Sequence, residues 1–357
     1  MTTTCIETDL LGKNTYNMKK TRVLGVAGGG GALLLPFLND KKYKILGNVE
    51  PRVVFHTKNE ENWKLNFGKI PFKTEFFDLK KRPNVIIGSP DCGASSTMRL
   101  SKVKELGNPE KNKTINLLIQ AVLTYKPEVF LLENVPKLLN LVPIDMWKST
   151  FKKYDLIFHN HSMLDLGNSQ ASRKRLLIIG IKKGNSKFNK ENFQRIFQVN
   201  TPKVTRKLLE AAYFEGNNTN YMPPKNKIMA MYDYRKLPEK ENLTVKRVQY
   251  LWTHDFKSEK KWPIKTAKMS TLPGVYRLES DRPPLTVRPA DRQFRPDGWP
   301  LGINDFRNIM GFPKTFKVFY DEKEPIYWMN KARNVFAKGA VYETGVWFKR
   351  CLENGHP

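Results

Sequence analysis

The segment VLGVAGGGGA, residues 23–32, decides the fold of this chain. An apolar stretch with the composition of a buried β-strand runs directly into four consecutive glycines, and apolar residues that favour a helix follow them. Glycine tolerates positive φ angles and lets a ligand come close to the backbone. The segment therefore predicts a strand–turn–helix unit of an α/β domain, although a tight turn without any ligand would favour glycine as well.

The same alternation of strand and helix continues from residue 21 to residue 180. Short apolar runs bounded by Gly, Pro or Asn alternate with longer amphipathic stretches, of which residues 111–125 are the clearest helix. Such alternation predicts a mainly parallel sheet with helices on both faces, and in such sheets ligands bind beyond the carboxyl ends of the strands. The predicted strands are residues 22–26, 44–49, 84–87, 128–132 and 176–181.

The composition argues against several classes of protein. Hydrophobic side chains make up 40% of the 357 residues, which is enough for a packed core. No apolar run approaches the roughly 20 residues that span a bilayer, and the chain is polar up to Lys20, so we expect neither a membrane protein nor a secreted one. Three cysteines, Cys5, Cys92 and Cys351, are too few for a disulfide framework. We therefore expect a reducing compartment, the cytoplasm or the nucleus of a eukaryotic host.

Positive charge is the most prominent compositional feature. The chain carries 62 Lys and Arg against 34 Asp and Glu, a net charge of +28. A polyanionic partner such as nucleic acid explains this excess, and a lysine-rich coding bias is the alternative. The excess is densest in residues 182–280, which hold 21 basic and 9 acidic residues, show little periodicity and interleave aromatic side chains with Lys and Arg.

Two acidic residues stand where a nucleoside ligand would need them. Glu50 ends the second predicted strand, about 20 residues after the glycines, which is the usual place of an acid that binds ribose hydroxyls. Asp78 lies just ahead of the third strand, where it can accept a hydrogen bond from an adenine amino group. Because the glycine segment lacks the Lys-Ser/Thr ending of phosphate-binding loops, an uncharged nucleoside cofactor is favoured over a nucleoside triphosphate.

A cysteine follows the third predicted strand directly. In GSPDCGASS, residues 88–96, Cys92 lies between a buried strand and a run of polar residues. A thiol at the functional edge of the sheet is a candidate nucleophile, and an inert, buried thiol is the alternative.

Two more strands carry charged residues to the same edge. The apolar strand in FLLENVP ends in Glu133 and Asn134, and a carboxyl group there can protonate or hydrogen-bond a substrate ring. In RKRLLIIG, Arg173 and Arg175 enter a strand on one face. Arginine there can orient a carboxylate or donate to a base carbonyl, and a basic edge strand is the alternative.

In this order, the segments resemble the conserved motifs of the DNA (cytosine-5)-methyltransferase family. The segment KPEVFLLENVPKLL, residues 126–139, is the most specific match. The resemblance covers residues 21–348 apart from residues 182–280, which correspond to that family's variable target-recognition domain. The other matching segments are GVAGGGG (25–31), WKLNFG (63–68), GSPDC (88–92), RKRLLIIG (173–180), RPPLTVRPADRQF (282–294), NDFRNIMGFP (304–313) and KGAV (338–341).

The resemblance implies a role for each matching residue, and we predict no metal site. The residues implied in catalysis are Cys92, Glu133, Arg173 and Arg175. Those implied in cofactor binding are Val26, Ala27, Gly28, Gly30, Glu50, Pro51, Asp78, Leu79, Pro90, Gly339 and Ala340. Those implied in substrate binding are Ser89, Ser95, Ser96 and Asn134.

The resemblance also implies a fold and a reaction. The fold is α/β, a Rossmann-like S-adenosylmethionine-dependent methyltransferase domain with a smaller, irregular target-recognition domain. The reaction is transfer of a methyl group to C5 of a flipped-out cytosine in double-stranded DNA, through a covalent bond between Cys92 and C6. The implied cofactor is S-adenosyl-L-methionine, the partner is double-stranded DNA, and we predict a monomer with no membrane association.

The same resemblance divides the chain into three parts. We predict a catalytic, cofactor-binding domain in residues 21–181 and a target-recognition, DNA-binding domain in residues 182–280. Residues 281–357 then carry the C-terminal motifs, of which residues 332–351 return to the catalytic domain.

Several positions depart from the family pattern. Asp91 stands between Pro90 and Cys92, where the family usually has Pro and Cys adjacent, and Val26 replaces the Phe that packs on the adenine ring. Gly339 replaces an asparagine near the cofactor. These departures indicate a divergent branch, for which a viral origin is one explanation. They leave three alternatives: methylation of cytosine in RNA, as in the tRNA-directed branch, a catalytically silent DNA-binding relative, and transfer of a different one-carbon group.

Overall fold

The structure is a computed structural model that describes the sheet, its flanking helices and parts of the C-terminal region. Most of residues 182–280 and the segment 91–112 lie outside the described residues. The described residues are 20–51, 59–75, 79, 81–90, 113–166, 173–185, 187–188, 190–191, 193, 275–277, 292–294, 303–319, 335 and 340–354.

A seven-stranded sheet forms the centre of the fold, in the order β3-β2-β1-β4-β5-β7-β6. Strand β7 runs antiparallel to both of its neighbours, and all the other pairs are parallel. Its strands are β1 (Thr21–Val26), β2 (Tyr43–Val49), β3 (Phe72–Lys73), β4 (Val85–Gly88), β5 (Val129–Asn134), β6 (Tyr154–Ser162) and β7 (Lys174–Lys182). Two short strands, β8 (Val275–Arg277) and β9 (Arg292–Phe294), pair in parallel in a second sheet.

Helices connect the strands and cover the sheet. They are α1 (Asn59–Phe67), α2 (Lys113–Tyr125), α3 (Leu138–Leu141), α4 (Ile144–Thr150), α5 (Ile303–Ile309) and α6 (Tyr342–Asn354), with 3-10 turns at Leu35–Phe37 and Met163–Leu166. Within the described part of the chain, none of these helices has the length and apolar character needed to cross a bilayer.

The predicted α/β class and mainly parallel sheet are confirmed. The five predicted strands correspond to β1, β2, β4, β5 and β7, and the predicted helix 111–125 corresponds to α2. The sequence analysis missed β3, which has two residues, and β6, whose sequence YDLIFHNHS is too polar to stand out as an apolar run. It also missed that β7 is antiparallel, which a short connection from β6 permits because antiparallel neighbours need no helical crossover.

Alternate side chains of the strands enter two apolar clusters, one on each face of the sheet. On one face Val23, Ile87 and Leu131 pack with helix α1, helix α6 and the 3-10 turn after β1. On the other face Leu24, Ile86 and Phe130 pack with helices α2 and α4. The first cluster also includes Phe188 and Phe193, so the chain stays with this core for several residues beyond β7, and α6 brings the C-terminal region back to it.

The last glycine of the turn after β1 lies on a pair of aromatic rings. The rings of Trp63 and Phe67 are stacked with centroids 3.9 Å apart. Gly31 has φ +90°, and a Cβ atom there would lie 2.5 Å from the Phe67 ring. The Trp63 and Phe67 rings of the WKLNFG segment therefore pack directly against Gly31, and only glycine permits this contact.

Two asparagines of α1 attach the extended segment that follows α5. Asn66 accepts a hydrogen bond from the Lys317 backbone N–H at 2.8 Å and donates one to the Lys317 carbonyl at 2.7 Å. Asn62 accepts from the Phe319 N–H at 2.6 Å. Because these asparagines are four residues apart, they lie on one face of the helix and pair with the segment much as a neighbouring strand would.

Gly88 at the end of β4 is expected to tolerate no side chain. A Cβ atom there would overlap the carbonyl oxygen of Val26 and the side chain of Leu118. Because a backbone atom cannot move aside as a side chain can, we expect Gly88→Ala to lower the free energy of unfolding by about 3 kcal/mol. Urea unfolding measures this.

Gly30→Ala is the matched control. Among the described residues its Cβ atom would meet Val335 Cγ1 at 3.5 Å, an ordinary van der Waals contact, and we expect a change in stability below about 1 kcal/mol. Equal stabilities of the two variants would contradict the close packing described at Gly88.

Candidate active site

Those polar residues singled out in the sequence that the structure describes lie at one edge of the sheet. Strands β1, β2, β4 and β5 are parallel and end there, and the antiparallel β7 begins there. The glycine turn, Glu50, Ser89 and Glu133 follow or end the first four strands, and Arg175 lies at the start of the fifth. This arrangement, at the carboxyl ends of parallel strands, is the usual ligand edge of an open α/β sheet.

The glycine turn is fastened to the strands on either side of it. Ala27, with φ +52°, donates its N–H to the Val49 carbonyl at 2.7 Å and accepts from the Ser89 N–H at 3.3 Å. The buried carboxylate of Glu50 accepts the Gly29 N–H at 2.8 Å. The acid predicted to bind a ribose therefore lies directly against the glycine turn.

Asn48 also contacts this turn, from two residues before Glu50. Its side chain is buried, and Nδ2 donates to the Gly29 carbonyl at 3.3 Å. The sequence analysis missed this residue. The one available signal was a polar side chain inside an otherwise apolar strand, KILGNV, on the same face as Glu50.

Two neighbours hold the carboxylate of Glu133 at the end of β5. The Ser89 hydroxyl donates to Oε2 at 2.5 Å, and Arg175 Nε lies 2.8 Å from Oε1. The side chain of Glu133 is only 4% exposed and that of Arg175 is 14% exposed, so this ion pair lies largely out of water. An ion pair with so little solvent around it fixes the orientation of the carboxylate.

Asn134 holds the backbone that leads towards Cys92. Its Nδ2 donates to the Pro90 carbonyl at 3.0 Å, and its Oδ1 accepts the Val135 N–H at 2.8 Å. Both polar groups of the Asn134 side chain therefore bind backbone groups of the protein.

Arg173, one residue before β7, is buried.

The remaining predicted site residues are distributed as follows. The side chains of Val26 and Ala340 are buried in the apolar clusters, so Val26 offers a ligand only its backbone. Pro51, Leu79, Gly28 and Gly30 are partly exposed. The predicted site residues that lie outside the described residues are Asp78, Cys92, Ser95, Ser96 and Gly339.

His161 is a buried titratable residue near this edge that the sequence analysis missed because it lies in β6. It pairs with Arg175 across β6 and β7, and its ring stacks on that of His159 with centroids 5.3 Å apart. Burial, with added repulsion from His159 and Arg175, lowers the pKa of His161 to about 3. The folded protein therefore keeps this imidazole neutral at neutral pH.

The lowered pKa of His161 predicts a loss of stability in mild acid. Below about pH 6.5 the unfolded chain takes up a proton at this histidine and the folded chain does not, so stability is lost as the pH falls towards 3. Between about pH 7.5 and about pH 5 this amounts to roughly 2 kcal/mol. The measurement is urea unfolding of wild type and His161→Gln at both pH values. Between them, the free energy of unfolding of wild type should fall by roughly 2 kcal/mol more than that of His161→Gln.

His159→Gln is the matched control, since His159 is only half-buried and Asp165 counteracts the effect of burial on its pKa. We expect a smaller change in acid sensitivity for this variant. An equal acid sensitivity of wild type and His161→Gln would show that His161 does not titrate as described.

The residues at the glycine turn fit the nucleoside cofactor that the resemblance implies. Among the described residues, no heavy atom lies within 4 Å of the place a Cβ atom would take at Gly29, so the backbone there is open to a ligand. A buried carboxylate, Glu50, lies beside it and can accept ribose hydroxyls. No group of three or more His, Cys, Asp or Glu side chains in the described part of the chain is arranged to hold a metal ion.

Comparison with solved structures shows a shared fold. A DNA modification methyltransferase encoded within an E. coli prophage superposes with a TM-score of 0.61 at 14% identity, over 94% of this chain and 99% of that one. The S. pombe Dnmt2 methyltransferase superposes with a TM-score of 0.58 at 12% identity, over 93% and 98%. The Entamoeba histolytica methyltransferase EhMeth gives 0.57 at 13% identity, over 94% and 98%. The α/β fold is therefore that of methyltransferases.

Comparison of sequences gives a more specific result. The chain is 22% identical over 321 residues to the type II methyltransferase M.FnuDI of Fusobacterium nucleatum, covering 86% of this chain and 89% of that protein. The profile of the family described as C-5 cytosine-specific DNA methylase matches residues 27–332. With most of its length matched, the chain belongs to the C-5 cytosine-specific DNA methylase family.

Proposed function

We propose that this protein transfers a methyl group from S-adenosylmethionine to C5 of a flipped-out cytosine in double-stranded DNA. The observation that carries the proposal is the carboxylate of Glu133, held between Ser89 and Arg175 at the sheet edge that also carries the glycine turn. A fixed, buried carboxyl group can accept from the exocyclic amine and, when it carries a proton, donate to N3, and cytosine presents both groups together.

The cofactor would lie against the glycine turn. Glu50 would accept the ribose hydroxyls, and the open backbone at Gly29 would let the nucleoside approach closely. Asp78 and Leu79 would border the adenine, as the family resemblance implies. When bound, the cofactor supplies an electrophilic methyl group.

Covalent addition would make the cytosine reactive enough to accept that group, since C5 alone is a weak nucleophile. The Cys92 thiolate adds to C6 and forms an S–C6 bond, while Glu133 stabilises the ring through N3 and Arg175, with Arg173, holds the O2 side. C5 would then take the methyl group, with the demethylated thioether S-adenosylhomocysteine as the leaving group. Loss of the C5 proton and elimination of the Cys92 sulfur restore the ring and the free thiolate.

Inside a duplex, C5 and C6 cannot reach these residues, so the target base would have to be flipped out of the helix. Flipping costs a few kcal/mol, which contacts to phosphates must offset. Residues 182–280, with 21 basic and 9 acidic residues, are the part of the chain with the charge for that task. Strong weakening of DNA binding with salt would accord with this role.

The direct test is transfer of tritium from labelled cofactor to nucleic acid by the purified full chain. We expect incorporation into cytosine-containing duplex DNA and not into tRNA. Incorporation into tRNA alone would replace the DNA proposal by RNA methylation. If cofactor binds and no cytosine-containing substrate is labelled, the protein is a catalytically silent relative. Mass spectrometry of the modified base identifies the transferred group.

A further inference from the structure

Asn48 and Glu50 each bind one of the two polar backbone groups of Gly29. Gly29 donates its N–H to Glu50 Oε2 at 2.8 Å, and its carbonyl accepts from Asn48 Nδ2 at 3.3 Å. Asn48 and Glu50 are two residues apart along β2, so their side chains project to the same side of the sheet. Both polar backbone groups of Gly29 are therefore held by side chains at the end of β2.

Gly25 makes room for this amide. Gly25 pairs with Asn48 in the parallel register of β1 and β2, and a Cβ atom at Gly25 would lie 2.5 Å from Asn48 Oδ1. At Gly28 the same distance would be 3.0 Å. Asn48 thus fills the space beneath the turn that two glycines leave open, and a side chain at Gly25 would displace it.

Burying the side chain of Asn48 costs more free energy than burying an apolar side chain of similar shape would. It is completely buried, and within the described part of the structure its Oδ1 has no hydrogen-bond donor. A buried acceptor without a donor is unfavourable, and a leucine of nearly the same shape would occupy the position without that cost. The bond from Nδ2 to the glycine turn is the one feature that an asparagine provides here and a leucine does not.

We propose that Asn48 is a positioning residue of the cofactor site. Its amide holds the Gly29 carbonyl, which keeps the Gly29 N–H directed at Glu50 and fixes the carboxylate that would bind the ribose. This inference rests on the proposed function, namely that the glycine turn binds S-adenosylmethionine. It assigns to Asn48 an effect on cofactor affinity that is separate from any effect on folding.

The test is the affinity of the full chain for S-adenosylhomocysteine, measured by isothermal titration calorimetry, together with the unfolding temperature. Asn48→Leu is expected to bind about tenfold more weakly, because one hydrogen bond that organises the turn is lost. Its unfolding temperature is expected to equal or exceed that of wild type, since the unpaired Oδ1 is gone. In the methylation assay, KM for the cofactor should rise while kcat at saturation changes little.

Asn84→Leu is the matched control. Asn84 accepts the Arg22 N–H at 3.0 Å and donates to Glu128 Oε1 at 2.8 Å. These bonds join β1, β4 and β5 at the ends that lie opposite to the candidate site. As an asparagine that only joins strands, it should lower the unfolding temperature on replacement and leave the cofactor affinity unchanged. Asn48→Asp, which has the same shape but lacks the N–H donor, should weaken binding as Asn48→Leu does and carries the test if the leucine variant fails to fold.

The outcomes separate the two proposals. Binding of S-adenosylhomocysteine to Asn48→Leu within twofold of wild type would overturn the role of Asn48 and leave the proposed function intact. A loss of affinity that only accompanies a matching loss of unfolding temperature would reduce Asn48 to a structural residue. Absence of binding by the wild-type chain would overturn the proposed function, and the inference with it.

Discussion

Replacing Cys92 by alanine is expected to abolish methyl transfer, lowering turnover by at least about 10⁴-fold. Under the proposed reaction, C5 of cytosine becomes nucleophilic only after a thiolate adds to C6. Alanine removes the attacking atom, and none of the side chains that the structure describes at this edge is a nucleophile of comparable strength. Turnover is measured as tritium transferred from labelled cofactor to duplex DNA.

Cys351, the cysteine that the structure describes, provides the control. Cys351 lies on α6 with no exposed surface, and burial raises the pKa of its thiol, so it is not a thiolate at neutral pH. Cys351→Ala should therefore retain turnover close to wild type, even if it unfolds more easily. Retained turnover in Cys92→Ala would show that the nucleophile has been assigned wrongly.

A duplex that contains 5-fluorocytosine gives a second, independent measurement. Once the thiolate has added to C6 and C5 has taken the methyl group, a fluorine at C5 cannot leave as a proton does. The sulfur then cannot be eliminated, so a competent chain stays bound to the DNA covalently. We expect the adduct with wild type and with Cys351→Ala, and none with Cys92→Ala. Absence of the adduct with wild type, with cofactor and DNA both bound, would favour the catalytically silent alternative.

The five strands that the sequence predicts are the inner strands of the sheet. Among them, β1, β4, β5 and β7 are nearly continuous apolar runs, because strands covered by helices on both faces have no polar face. Strand β6 lies at the edge, and its sequence YDLIFHNHS contains polar residues such as the partly exposed His159 and the exposed Asn160, so it gives no such signal. Edge position, not distance along the chain, separates what the pattern predicts from what it misses.

The candidate site shows a similar division. Glu50, Glu133 and Arg175 could be selected individually, because each is a charged residue at the end of an apolar run. The contacts that these residues make could not be predicted from the sequence. Ser89 and Glu133 are 44 residues apart in the sequence and meet only because β4 and β5 are neighbours in the sheet.

Asn48 and His161 illustrate the part that sequence reasoning could not reach. Each is significant through the residue opposite to it, Gly25 for Asn48 and Arg175 for His161. That pairing depends on strand register, and a shift of one residue would turn either side chain to the other face of the sheet. Composition and periodicity predict which residues form a strand, but they do not contain the register between two strands.

Replacing Glu133 by glutamine is expected to lower the rate of methyl transfer by about 10³-fold, the usual range for loss of a positioned acid–base group. Glutamine keeps the size of the side chain, and its carbonyl oxygen can still accept the Ser89 hydroxyl. It cannot pair with Arg175 as a carboxylate does, and it cannot exchange a proton with N3 of the ring. The rate is measured in a single turnover with enzyme in excess over duplex DNA.

The same strand provides the control at its other end. Glu128, one residue before β5, accepts a hydrogen bond from Asn84 at 2.8 Å and lies at the edge opposite to the candidate site. Glu128→Gln removes the same charge at the other end of the same strand and should leave the rate of methyl transfer unchanged. Because the side chain of Glu133 is held by Ser89 and Arg175, whereas the carboxylate against the glycine turn is that of Glu50, Glu133→Gln should also bind S-adenosylhomocysteine as wild type does. A single-turnover rate for Glu133→Gln within tenfold of wild type would mean that the buried ion pair with Arg175 is only structural and that another group stabilises the cytosine ring.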